Sequence, residues 1–387
     1  MRKADLAPAL REYLQPLTDY PNVSALIPPP PPRRIVIPGV SLLHAAEALG
    51  SLAAISRQLP DPGLITRTLA RREAVFSSQI EGTHSDLDQL LAYEETESEE
   101  GLLPDVRITR NYLDALHVGE KVLLAGGGRA AISIELIKRL HAALMNNVPY
   151  QGIAGEFRDR QVWIGGAGRI EDATLVPPPH SALHRCMQEL EEGMLQYRPA
   201  DDEPYELSLV VQVAIAHAQF ETIHPFMDGN GRVGRLLMTL MLAAEGYPPL
   251  YLSGYLLRKK KDYYRCLKQC QLQGQWSEWC QFMADAIVHS ARDAEAIALD
   301  LLRIRESWVP LLAGLRSDSA ARRLAPFLIG HPVISVSHAA ELLSTTFRAA
   351  NLGVEALVQA GILEKIGDAQ RGRVFRVAEV VERLKKF

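Results

Sequence analysis

From His224 to Arg235 the chain reads His-Pro-Phe-Met-Asp-Gly-Asn-Gly-Arg-Val-Gly-Arg, a concentration of groups suited to phosphate chemistry. Gly229 and Gly231, on either side of Asn230, carry no Cβ, so an anion can approach the backbone closely. The N–H groups at a helix start beside them form a nest for it. Arg232 and Arg235 are three apart, neighbours on one helix face, and each presents forked donors matched to phosphate oxygens. Asp228 offers a hard oxygen ligand where Mg2+ bridging phosphates would be held. His224 ends the preceding element and, with an ordinary pKa near neutrality, is suited to general-base work. Base, metal ligand, nest and two arginines describe phosphoryl or nucleotidyl transfer.

Two strongly apolar stretches at helical spacing, 205–222 and 233–244, flank this segment, which therefore reads as a helix–loop–helix junction. Helical spacing also predicts elements over 40–58, 64–80, within 106–146, and over 182–196, 263–271, 276–291 and 294–315. Gly82 stands where a helix C′ glycine is expected. Ile27 to Arg34 is a proline-rich extended strap, and the acidic run Glu94 to Glu100 reads as a solvated loop. Between 152 and 176 helical periodicity stops, and two β-branched stretches around Gly165 to Gly168 predict a β-hairpin, a flap over about 158–176. From Val336 onward the order helix, helix, strand, turn, strand has the pattern of a winged helix-turn-helix. The expected fold is mainly α, with a β-hairpin flap and a winged-helix-like C-terminal domain. The expected divisions are 1–105, 106–300 and 316–387.

At every fixed position, residues 224–235 match HPFx(D/E)GNGRxxR, and the chain resembles the Fic (filamentation induced by cAMP) family on that ground. The resemblance implies a Fic-type helical core and a protein adenylyltransferase. Such an enzyme transfers AMP from ATP to a Ser, Thr or Tyr hydroxyl of a target protein or of itself, releasing pyrophosphate. His224 would be the base and Asp228 the Mg2+ ligand. Gly229, Asn230, Gly231, Arg232, Val233, Gly234 and Arg235 would line the nucleotide, joined by Tyr263 and Gln271 through similarity to the family's YYxxL helix. Val162, Trp163, Ile164 and Gly165 resemble the flap that docks a target segment by strand addition. Ser77-Ser-Gln-Ile-Glu81-Gly82 resembles the family's inhibitory motif (S/T)xxxE(G/N), which implies that Glu81, on a helix over about 64–82, pairs with Arg235 and blocks productive ATP binding.

Relatives transfer phosphocholine or UMP, and the Doc branch acts as a kinase. Retention of Gly229 and Gly231 favours AMP transfer. Removal of AMP, with Glu81 positioning water, is the alternative within the fold. A DNA-binding regulator is an alternative of another class, with Arg371, Arg373 and Arg376 in the wing meeting phosphates. Composition bears on it. The net charge is −4, with residues 316–387 carrying +4 and the remainder −8. That is too mild to point to nucleic acid, and a protein-interaction or dimerisation module fits the tail as well. DNA binding is therefore not favoured, and pairing of apolar helices makes a homodimer an expectation.

Hydrophobic residues make up 47% and charged residues 23% of 387 residues, which excludes collagen-like, disordered and disulfide-scaffold classes. Four cysteines, with Cys266 and Cys270 four apart, match neither a zinc finger nor a redox pair and read as reduced thiols. No signal-peptide pattern opens the chain, and the charge-free helical stretch 207–220 falls short of the about 20 apolar residues a bilayer needs. The expectation is a cytoplasmic protein with no membrane partner.

Overall fold

The apolar run from Val210 to Ile223 forms a helix buried on every side, its polar members Gln212, His217, Gln219, Glu221 and Thr222 included. A helix apolar all round belongs at the centre of a bundle, and neighbouring helices of its own unit pack on it. The computed structural model describes the chain except residues 1–4, 33, 60, 99, 101, 167, 200–205, 367–372 and 387. The helices are α1 (Gly39–Gln58), α2 (Pro62–Ile80), α3 (Leu87–Thr96), α4 (Val106–Leu124), α5 (Ile134–Leu144), α6 (Leu183–Leu190) and α7 (Leu209–Ile223). They continue as α8 (Asn230–Ala244), α9 (Ser253–Arg258), α10 (Lys260–Gln273), α11 (Trp276–Leu311), α12 (Ala320–Leu324), α13 (Val336–Leu342), α14 (Phe347–Gln359) and α15 (Ala378–Lys385). Short strands are β1 (Leu14–Pro16), β2 (Ser24–Leu26), β3 (Val333–Ser335), β4 (Glu364–Ile366) and β5 (Val374–Arg376). The fold is mainly α.

The chain separates into two compact units that cut across the expected divisions: 1–51 with 114–290, and 52–113 with 291–387. In the first, α7 packs on α6 and α8. Trp279 and Tyr263 are buried beside it, the indole N–H of Trp279 donating to the Ala214 carbonyl at 2.7 Å. The strands β1 and β2 pair antiparallel, Leu14 opposite Leu26. The proline strap follows in extended form, the Pro29 carbonyl accepting from the Gln219 amide at 3.1 Å.

In the second unit, α2 starts at a capping Asp61, whose carboxylate accepts from the Leu64 N–H. It ends at Glu81, with Gly82 at φ 95°. That is the C′ glycine the sequence predicts. The sheet here is antiparallel in the order β3-β5-β4, Ile334 opposite Phe375 and Lys365 opposite Phe375.

Several expectations change. The acidic run is not a solvated loop throughout. Its first residues belong to α3, where Glu94 pairs with Arg71 at 2.6 Å and a buried Glu95 holds His338 at 2.6 Å. Helices 276–291 and 294–315 are one helix, because Arg292 and Asp293 interrupt the apolar pattern without a Pro or Gly to break the backbone. Among the described residues the hairpin over 158–176 reduces to one antiparallel bridge, Ile164 with Leu175, and a turn of 3₁₀ helix at Ile170–Asp172 intervenes. Side-chain packing accompanies it: Trp163 packs against a core cluster that includes Leu17, Val23 and Val176, and Ile164 against one formed by Leu6, Leu26, Leu175 and Leu272. Among the described residues one helix, α1, is long and apolar enough in length and composition to cross a membrane. Glu47 and Arg57 within it are why a search for charge-free runs passes over it. All four cysteines are free and buried.

Candidate active site

His224 stands at the C-terminus of α7 in the left-handed region, φ 48° and ψ 61°, which side chains with a Cβ rarely adopt. The neighbours enforce it. Its N–H donates to the Phe220 carbonyl at 2.9 Å, and its own carbonyl accepts from Arg158 Nε at 2.9 Å. Arg158, 4% exposed, also donates to the Pro178 carbonyl at 2.6 Å and the Arg160 carbonyl at 3.0 Å. Its backbone N–H reaches the Pro225 carbonyl at 2.9 Å. Burial lowers the guanidinium pKa to about 10, still charged at neutral pH. Sequence reasoning missed Arg158, because nothing local marks an arginine whose donors serve distant backbone carbonyls.

The loop after His224 closes on itself. Asn230 spends its side chain on Phe226, accepting from the N–H and donating to the carbonyl, both at 2.9 Å. Phe226 lies flat against His141. The Gly155 N–H donates to His141 Nδ1 at 2.9 Å, so the ring proton sits on Nε2, which donates to the Asp228 carbonyl at 3.1 Å. Burial, the largest cause, lowers the His141 pKa to about 4 and keeps the ring neutral. The Met227 N–H is held by the Tyr150 hydroxyl at 3.2 Å. His141 and Tyr150 were also not foreseen.

This frame presents the cradle. Gly229, at φ 81°, precedes α8, and a Cβ there would press on Leu144 and Met145 at 3.3 Å. The helix begins at Asn230, so Asn230, Gly231 and Arg232 form its first turn, whose N–H groups have no intrahelical acceptors. Arg232 is 3% exposed, with Nη2 3.6 Å from Asp228 Oδ2, and Arg235 is 1% exposed. The Asp228 carboxylate is 68% exposed. His224 keeps a partly exposed ring, with Nδ1 3.9 Å from the Glu221 carboxylate one turn earlier in α7. Val233 is core, and Gly234 faces α7: a Cβ there would lie 2.7 Å from Glu221 Oε1 and 3.0 Å from His217 Nδ1.

The remaining predicted residues sit on other elements. Tyr263 is fully buried, its hydroxyl 2.8 Å from His217 Nε2, while Tyr264 is the exposed member of the pair. Gln271 donates to the Thr222 hydroxyl at 3.1 Å. Val162 and Trp163, half-buried, line a cavity of about 540 Å³ with Tyr20, Arg160 and Met227. Ser77 is buried within α2, and Glu81 caps that helix. Among the described residues no group of three or more acidic, His or Cys side chains is arranged to hold a metal.

The Fic/DOC family N-terminal model matches residues 40–121 and the Fic/DOC family model residues 131–242, together half of the chain. The chain belongs to the Fic/DOC family. It is 35% identical over 155 residues to the protein adenylyltransferase Fic of Drosophila ananassae, which is 40% of this chain and 27% of that protein. To the protein of the same name from Drosophila willistoni it is 36% identical over 157 residues. The matched stretch thus spans about a quarter of these curated relatives. A Fic family protein from Desulfovibrio desulfuricans shares the fold, with a TM-score of 0.54 and 21% identity, covering 90% of this chain and 98% of that one. A Fic domain containing signaling protein from Bacteroides thetaiotaomicron has a TM-score of 0.52 and 18% identity over 67% of this chain and 97% of its own.

Proposed function

We propose that the chain is a protein adenylyltransferase that moves AMP from ATP to a hydroxyl of a target protein or of itself and is restrained by Glu81. The observation that carries the reading is the junction of α7 and α8. A partly exposed imidazole, on a backbone that Arg158 holds at the His224 carbonyl, stands beside a helix N-terminus flanked by two buried arginines. His224 takes the proton of the attacking hydroxyl, and the oxygen attacks the α-phosphorus in line. First-turn N–H groups of α8 and the Arg232 guanidinium stabilise charge on the departing pyrophosphate. The Glu221 carboxylate, 3.9 Å from His224 Nδ1, stands beside the ring as it takes up the proton. Arg235 holds the far phosphate, and pairing with Glu81 would deny it that role.

Asp228 fits Mg2+ as a lone ligand. Its carboxylate is exposed beside the cradle, and Mg2+ is commonly held through one or two carboxylates plus phosphates and water. When bound, the ion neutralises charge on the α- and β-phosphates.

Val162 to Gly165 and the neighbouring cavity form the target-docking edge in this reading, with main-chain pairing at Ile164 as its starting register. The division 316–387 as a winged helix-turn-helix belongs to the same proposal, supported by the β3-β5-β4 sheet against α13 and α14. DNA binding is disfavoured by the partners of its arginines. Arg373 engages Asn351 and Glu355, and Arg376 engages Glu364 and Asp88. Arg371 lies outside the described residues.

The test incubates wild type, Glu81→Gly and Glu81→Gly/His224→Ala with α-labelled ATP and Mg2+ and reads AMP mass on protein. Label in Glu81→Gly that vanishes in the double variant supports the reading. No label in Glu81→Gly moves the assignment to another donor or to AMP removal.

A further inference from the structure

Chain order suggests that α2, which carries Ser77 and Glu81, is an appendage of the catalytic core. The contacts of its first half run elsewhere. Leu64 fits under Gly330, where a Cβ would come within 2.5 Å of Leu64 Cδ2 and 3.1 Å of its Cα. One turn on, the buried Thr68 hydroxyl donates to the Ile329 carbonyl at 2.7 Å. Arg67 Nη1 lies 2.6 Å from His331 Nε2, and Arg71 donates to the Gly330 carbonyl at 3.2 Å. Arg72, 8% exposed, donates to the carbonyls of Leu384 at 3.0 Å and Lys386 at 2.9 Å, and pairs with Asp293 at 2.6 Å.

These residues fall on the sides of the helix given by steps of three and four. Four of their acceptors are backbone carbonyls, which cannot swing away as side chains can. The neighbouring α3 repeats the arrangement: Glu95 accepts from the Ser335 N–H at 3.1 Å and holds His338, and Asp88 pairs with Lys385 and Arg376. All of these contacts lie within the unit formed by 52–113 and 291–387.

We propose that residues 329–331 and 384–386 form a clasp that fixes the position of the inhibitory helix, so that the C-terminal module regulates AMP transfer through Glu81. The inference rests on the adenylyltransferase reading above and names its regulator. A helix is stiff along its axis, and Glu81 stands nine residues, about 13 Å, beyond Arg72. Release at one end therefore frees the other. A protein partner that spreads the clasp would switch the enzyme on without touching the nucleotide site.

The test uses two variants of the full chain, Thr68→Val and Arg72→Met, each alone and each combined with Glu81→Gly. AMP incorporation is read alongside amide hydrogen exchange. Each clasp variant is expected to raise incorporation about fivefold or more over wild type, the scale of an ordinary coupling between sites. Neither should add to the rate of Glu81→Gly. Exchange at residues 74–81 should quicken about tenfold while α8 stays protected. Unchanged exchange at 74–81 in both variants overturns the clasp, whatever the activity. Faster exchange with wild-type incorporation, or equal gains with and without Glu81, overturns the regulatory link. Failure of Glu81→Gly itself to incorporate AMP sinks the underlying reading and the regulatory claim with it, while exchange still decides whether the clasp exists.

Discussion

The imidazole of His141 lies flat on the ring of Phe226, with centroids 3.7 Å apart and planes within 2° of parallel. The same imidazole donates to the Asp228 carbonyl. One buried, neutral ring from α5 thus fixes the loop at two points, and the carbonyl it holds belongs to Asp228.

That burial has a pH signature. Folded His141 stays neutral down to about pH 4, whereas in the unfolded chain it takes up a proton below about 6.5. The unfolded state therefore binds more protons in this window. Stability is full above it and falls with decreasing pH, by up to about 1.4 kcal/mol per pH unit for this group. Denaturant titrations at pH 7.5, 6, 5 and 4.5 check this. A His141→Gln variant, less stable at neutral pH, should show a shallower decline. His338 has the opposite sign: its hydrogen bond to Glu95 raises its pKa, so its contribution is present below 6.5 and is lost as pH rises through the raised value.

His224→Ala and His224→Asn should both lose AMP transfer by about 100-fold or more, the scale of general-base catalysis. Their stabilities should differ. The residue sits at positive φ, where Ala pays about 1 kcal/mol and Asn much less. Transfer surviving at a tenth of wild type would refute the base assignment, and equal melting temperatures would refute the backbone argument.

Arg158→Met should destabilise the protein by about 3 kcal/mol, because carbonyls of Pro178, Arg160 and His224 lose a charged donor together. Transfer should drop as well, through the displaced His224. Arg158→Lys should not restore it, since an ammonium cannot reach three carbonyls in a fork. Recovery by lysine beyond half of wild-type rate would show that charge alone suffices.

Gly234→Ala should cost about 1–3 kcal/mol by overpacking against Glu221 and His217 where α7 meets α8. Gly82→Ala meets nothing within 4 Å and should cost only the roughly 1 kcal/mol of its positive φ. Thermal melts of the two variants measure the difference, and a larger loss at Gly82 would contradict it.

The signature loop, its flanking helices and the glycine stop after α2 were legible because each is local: a dense motif, a period and a punctuating residue. Arg158, His141 and Glu221 were not, since their roles depend on partners brought together by packing. Arg158 meets His224 across 66 positions, and His141 meets Asp228 across 87. Tyr263 shows the converse. Its motif points to a pocket, but an aromatic cluster with His217 and Trp279 takes up its ring. The acidic run was misread because charge density says where water is welcome, not whether an arginine or histidine waits across the fold.

Arg72 and the Leu384 carbonyl are separated by 312 positions. A ribosome adding about 5–20 residues per second needs roughly 15 to 60 seconds to cover that interval. For about the last 5 to 20 seconds of that interval, from residue 290 to Leu384, the stretch 114–290 is complete while the helix bearing Glu81 still lacks the carbonyl that receives Arg72. In the reading proposed above, each newly made molecule thus passes through a period with His224 and the α8 cradle synthesised and the hold on Glu81 unfinished. Self-modification in that reading has its opening there.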